Sequence, residues 1–142
     1  MIELEDRTFS GVVRRIGDVT GWLGWQTGSC RSNHVHMLGY PGNVFGSQRL
    51  AITSAQRWRN VAPFNCEYGN PQTFGASGGP WIQNFGSSAS PKPQTQPGRN
   101  RVVTVASYTY GEAFGVLGGS EFDSRFVNLW NSICAHRAGN CS

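Results

Sequence analysis

Ser77 stands in the stretch TFGASGGPWI, residues 73 to 82, among three glycines and a proline and directly ahead of Trp81 and Ile82. Glycine admits φ > 0 and lets another group approach closely, so such a loop can present a serine hydroxyl as a nucleophile beside free backbone N–H groups. The same residues could equally make a tight turn between two strands. A serine alone is a poor nucleophile and needs a base within about 2.6–3.2 Å. The chain has three histidines. His34 and His36 share one face of a strand-like segment and read as structural or surface residues. His136 lies late in a helix-like segment, where a cation at a helix C-terminus is a sufficient account.

The elements that must position Ser77 are strands. At 142 residues the chain has single-domain length, and 19 glycines and 7 prolines with 14% charged residues describe a turn-rich β protein. Twelve Lys+Arg against eight Asp+Glu give a net charge of +4, but the arginines are scattered as pairs. With no basic stripe, nucleic-acid binding is not expected. No apolar run has membrane-spanning length, so no membrane partner is expected either. Cys30, Cys66, Cys134 and Cys141 allow three full pairings, with no C-x-x-C pair and no Cys/His zinc spacing. Disulfides are expected, Cys30–Cys66 and Cys134–Cys141 by preference, and would place the protein outside the reducing cytosol. MIELEDRTFSGVV does not read as a secretory signal. That leaves either absent disulfides or a chain that starts partway through a longer secreted protein.

Strand-like segments at 21–26, 34–41, 48–58, 79–85 and 101–110 alternate with Gly, Pro, Asn and Ser clusters. Residues 86–100, GSSASPKPQTQPGRN, read as a mobile surface loop, since so polar a stretch buries too little to offset its ordering entropy. Toward the end Phe122, Phe126, Leu129, Trp130 and Ile133 recur at helical spacing, with Ser120 and Asp123 as a starting cap. The pattern predicts five or six strands followed by one terminal helix packing back on them.

The G-x-S-x-G pattern serves two unrelated enzyme classes. In an α/β-hydrolase-type esterase the serine precedes a helix, which Gly78, Gly79 and Pro80 oppose. Gly75 to Pro80, GASGGP, instead resembles the nucleophile loop of the chymotrypsin-like (trypsin-like) serine protease superfamily, with Ala76 where an Asp is usual. HMLGYPGN at 36–43, GWLGW at 21–25 and VVTVASYTYG at 102–111 resemble, in order, segments of its bacterial and fungal glutamyl-endopeptidase-like branch.

The resemblance implies an all-β fold: the second six-stranded antiparallel barrel of a chymotrypsin-like protease with a C-terminal α-helix, the first barrel largely missing. Residues 1–20 would be a remnant of the first barrel and linker, 21–119 the barrel, and 120–142 the helix and tail. It implies a secreted serine endopeptidase acting on polypeptides through an acyl-enzyme, without metal or cofactor. Ser77 would be the nucleophile and the N–H groups of Gly75 and Ser77 the oxyanion hole. Ser107, Tyr108 and Thr109 would bind substrate, and Asn70 to Thr73 would line another wall of the same pocket.

Asp6, in DRTFSGVVRRIGDVTGW, matches the position of the triad carboxylate, although Arg7 and Thr8 replace the usual following residues; a solvated acidic terminus beside Glu3 and Glu5 is the competing account. Asp18 fits less well. Only 76 residues precede Ser77, too few for a complete first barrel, so the general-base histidine would belong to a missing N-terminal barrel and the isolated chain could be inactive. A non-catalytic protease-like binding module and the α/β-hydrolase-type esterase are the alternatives.

Overall fold

Two adjacent residues with left-handed backbone, Ser10 at φ 52° and Gly11 at φ 79°, turn the chain between β1 (Arg7–Phe9) and β2 (Val12–Arg14). Positive φ at both central positions matches the right-handed strand twist, which is why Phe9 pairs directly with Val12 across a two-residue loop. The computed structural model describes residues 4–28, 30, 34–86, 98–137, 139 and 141. They fall into two compact units, Met1–Leu23 with Ser124–Ser142, and Gly24–Asp123. The first unit holds the hairpin, a short helix α1 (Ile16–Thr20) and α2 (Ser124–His136), with the Cys134–Cys141 disulfide at its end. Asp18 sits in α1, where its Oδ2 accepts the Arg15 N–H at 3.3 Å. Helix α2 starts later than its sequence suggests. Ser120 is not its cap, because that residue ends a strand and its hydroxyl donates to Asn65 Oδ1 at 2.9 Å.

The second unit is a mixed sheet of eight strands: β3 (Gly24–Trp25), β4 (His34–Gly39), β5 (Ala51–Val61), β6 (Asn65–Gly69), β7 (Pro80–Gln83), β8 (Arg101–Val105), β9 (Tyr108–Thr109) and β10 (Val116–Ser120). Their order is β3-β8-β7-β4-β5-β6-β10-β9, antiparallel throughout except for the β3–β8 pair. The expected six-stranded antiparallel barrel is therefore not what forms: among the described residues no ladder joins the two ends of the order, and the sheet does not close. The reason lies in residues 101–109. Up to Val105 this stretch pairs with β7; then the Ala106 N–H bonds to Gly79 O at 2.9 Å and the Ser107 N–H to Gly118 O at 2.9 Å, and β9 pairs with β10. One stretch thus changes partner midway, from β7, with β3 on its other side at Arg101 and Val102, to β10 beyond Ala106.

Alternation in β4 puts Val35, Met37 and Gly39 inside and His34, His36 and Leu38 on the other face. The inward residues join Tyr68, Trp81, Val103 and Leu117 in one core. Tyr68 and Trp81 meet edge to face with centroids 5.0 Å apart, and the Tyr68 hydroxyl donates to Cys30 O at 2.7 Å. Cys30 is bonded to Cys66 across 36 residues, a closure that removes about 4 kcal/mol of unfolded-state freedom on the chain-entropy model, against about 2 kcal/mol for the seven-residue Cys134–Cys141 loop. Most of the expected loop at 86–100 lies outside the described residues. No helix among the described residues is long and apolar enough to cross a membrane.

Trp81 is fully buried at the centre of this core. Trp81→Ala should lower stability by about 3–5 kcal/mol, read as a fall in the urea midpoint at unchanged slope.

Candidate active site

Residues 70–79 form a loop held from both sides. At its start the Gln72 N–H bonds to Asn70 Oδ1 at 2.8 Å, and Gln72 Nε2 reaches Met37 O at 3.2 Å and Thr53 Oγ1 at 3.0 Å, so this buried amide ties the loop to β4 and β5. Phe74 O accepts the Gly42 N–H at 2.6 Å. Beyond Ser77, the Gly78 N–H bonds to Ala106 O at 2.8 Å and the Ala106 N–H returns to Gly79 O. The glycines are steric necessities. Gly75 has φ 93° and a Cβ there would lie 2.6 Å from Tyr40 O, while at Gly79 a Cβ would overlap Leu38 O. After Pro80 the chain enters β7, so no helix follows Ser77 and the hydrolase elbow is not formed.

Within residues 75–79 the amides divide. Ala76 N–H bonds to Thr73 O at 3.2 Å, Gly79 N–H to Ala76 O at 2.9 Å, and Gly78 N–H is engaged as above. The N–H groups of Gly75 and Ser77 have no acceptor among the described residues, and both residues are exposed. Beside them opens a cleft of about 190 Å³. It brings Ser77, Ser107, Tyr108 and Thr109 together with Thr73 and Leu117. Asn70 and Gln72, expected on a wall, are buried behind it and act as struts.

One wall of the cleft has a basis that sequence reasoning missed. Arg59 on β5 pairs in register with Glu67 on β6, Glu67 with Gly118 on β10, and Gly118 with Tyr108 on β9. Gly118 leaves the gap in this row: a Cβ there would overlap the Tyr108 ring, which crosses above it so that the hydroxyl donates to Glu67 Oε1 at 2.9 Å. Tyr110 donates to the same oxygen at 2.6 Å, and Arg59 Nε to Oε2 at 2.8 Å. The available signal was the Gly118–Gly119 doublet, since glycine within a strand marks a close approach.

Burial pushes the fully inaccessible Glu67 carboxyl up, but hydrogen bonds from Tyr110, Arg59 and Tyr108 together with the Arg59 charge outweigh it and hold the group below its usual range. Tyr108 is pushed well above the usual phenol range, by burial first and then by its bond to Glu67. Tyr110 is raised chiefly by its own bond to Glu67.

The remaining candidates have contacts within their own units. Asp6 lies in the first unit, where its Oδ1 stands 3.9 Å from Arg137 Nη2. His36 packs on Phe85, centroids 5.6 Å apart, and on His34 at 5.2 Å. Among the described residues the Ser77 hydroxyl makes no hydrogen bond, no catalytic triad is assembled, and no group of three or more His, Cys, Asp or Glu could hold a metal ion.

No protein-family model matches the chain, nor does any curated protein. Solved structures do. The protease Anisep from Arthrobacter nicotinovorans is 23% identical with a TM-score of 0.68, the match covering 91% of this chain and 55% of that one. The thermostable serine protease AL20 from an extremophilic microorganism is 20% identical with a TM-score of 0.67, covering 92% and 56%. The chain spans little more than half the length of either protein. At these identities the likeness is one of fold: over most of its length the chain shares the fold of part of these two solved structures.

The Glu67 row carries a pH signature. Because the folded Glu67 pKa is lowered, its contribution to stability is complete above the ordinary value of 4.5 and is lost as pH falls through the folded value. Because the folded Tyr108 pKa is raised, its contribution is complete below the ordinary value of 10.0 and is lost as pH rises toward the folded value. Urea midpoints measured from about pH 3 to pH 11 should therefore fall at both ends, with the acid arm flattened in Glu67→Gln and the alkaline arm in Tyr108→Phe.

Proposed function

We propose that this chain is the nucleophile-bearing part of a serine endopeptidase. The observation that carries the reading is the division of amides in the loop: those of Ala76, Gly78 and Gly79 are engaged, while those of Gly75 and Ser77 are left to a ligand beside an exposed hydroxyl. Hydrogen-bond donors held ready in this way suit an oxygen that becomes negative only in the tetrahedral state. In the proposed reaction Ser77 Oγ bonds to the scissile carbonyl carbon as its proton passes to a base. The carbonyl oxygen takes the negative charge against the two amides; the C–N bond then breaks as the base gives its proton to the leaving amine, and water hydrolyses the acyl-enzyme that remains.

The base in this reading is a histidine of a preceding first barrel, the partner that completes the enzyme, and Asp6 is the carboxylate that orients it. Among the described residues β9 ends the sheet order, paired on one side only, so its other edge suits an extended polypeptide added as a further strand along Ser107, Tyr108 and Thr109. The two disulfides support folding in an oxidising compartment, in keeping with secretion. A second reading, a protease-like module that binds without cleaving, draws on the Ser77 hydroxyl having no partner among the described residues.

A fluorophosphonate probe decides between them. In protein that carries an upstream histidine-bearing barrel, the probe should label Ser77 and Ser77→Ala should abolish the label; a folded protein of that kind left unlabelled favours the binding module. In the labelled protein Asp6→Asn should lower kcat on the order of 10⁴-fold, whereas a merely solvated aspartate would cost almost nothing.

A further inference from the structure

Resting on the reading of this cleft as the pocket for a substrate side chain, we propose that it accepts an uncharged side chain of small to medium size and rejects both signs of charge, with Tyr108, latched onto Glu67, as the residue that decides this. The cleft measures about 190 Å³, roughly the room of six waters and below the size of pockets that hold whole small-molecule ligands. It fits one side chain. None of the described residues that line it carries a charge: Thr73, Phe74, Ala106, Thr109 and Leu117 join Tyr108 and the two serines. A cationic or anionic side chain entering it would lose water and gain no counter-charge, which is strongly unfavourable.

Glu67 is the nearest carboxylate in the register row, and the row explains why it is out of reach. Gly118 opens a gap between β6 and β9, the Tyr108 ring fills it, and its hydroxyl turns away from the cleft to meet Oε1. Tyr110 donates to the same oxygen and Arg59 to the other. A lysine or arginine side chain would therefore meet a neutral ring instead of a carboxylate. Arg59 lies beyond Glu67 in the row, so it offers no cation to an acidic side chain. The pocket's neutrality thus depends on a covered charge, and removing both the cover and the guanidinium would reverse its preference.

Three probes of one shape test this by binding alone: benzamide, protonated benzamidine and benzoate, followed through the amide NMR signals of Ala106 and Leu117. Benzamide should bind the wild-type chain, and each charged probe should bind at least about tenfold more weakly. In Tyr108→Ala/Arg59→Met the benzamidine-to-benzamide affinity ratio should rise at least about tenfold, while Tyr108→Phe, which keeps the ring, should hold the wild-type ratio. A charged probe matching benzamide in the wild type, no probe moving these signals, or an unchanged ratio in the folded double variant would overturn the proposal. Should circular dichroism show the double variant unfolded, Tyr108→Ala alone must admit naphthalene-2-carboxamide that the wild type excludes, and its failure to do so overturns the proposal equally. None of the probes is cleaved. Labelled Ser77 with the wrong ratios removes the specificity assignment alone, and the right ratios with unlabelled Ser77 remove the hydrolase reading alone.

Discussion

The placement of Ser77 depends on a clasp of two backbone hydrogen bonds, Gly78 N–H to Ala106 O and Ala106 N–H to Gly79 O. Each is worth about 0.5–1.5 kcal/mol net, so the clasp matters less as stabilisation than as geometry. It joins the serine loop to residues 101–109 at the point where that stretch leaves β7 for β10, and so one pair of bonds sets both the exit of the nucleophile and the line of the cleft wall. It can form only because Gly79 has no Cβ where Leu38 O approaches and Gly78 takes a φ of 79°. The sequence pattern Gly-Gly after the serine is thus a requirement of close backbone approach before it is anything catalytic.

A second constraint runs across the sheet. Arg59, Glu67, Gly118 and Tyr108 come from four strands, and their only relation is register. Were β10 to slip by one residue in the direction that puts Leu117 in the place of Gly118, the ring could not cross. The buried carboxylate would then lose a donor, and an incompletely satisfied buried charge is costly. The three hydrogen bonds to Glu67 therefore favour the native register over that one, in addition to any contribution Glu67 makes to the cleft.

What could be read from the sequence follows from how local each feature is. Ser77 and its glycines were legible because the turn they make is written within six residues, and β4 because Val35, Met37 and Gly39 alternate with residues of the other face. The disulfides formed as expected from their spacing, one local and one longer. β6 and β10 were missed: NCEYG and VLGGS are short and interrupted by glycine, and their burial comes from the strands beside them. The barrel expectation failed for a related reason, since alternation along 101–110 shows that both faces are covered but cannot show that the stretch changes partner at Ala106. The Glu67 row was illegible because its paired members are up to 51 residues apart, in pairs that no periodicity connects.

The loop and the row meet at few points, and this has a consequence for how such a site can vary. Nucleophile presentation rests on Gly75, Gly78, Gly79, Gln72 and Ala106; the chemistry of the cleft floor rests on Gly118, Tyr108, Glu67 and Arg59. The first set is held mainly by backbone bonds, which constrain residue type only where a Cβ would collide. The second is held by side-chain hydrogen bonds, and Tyr108 alone of its members fills the gap over Gly118. A change in the second set can therefore alter what the cleft admits while leaving the serine where the clasp puts it. Charge preference and nucleophile geometry are separable properties of this fold because different chemical groups, side-chain in one case and main-chain in the other, hold them in place.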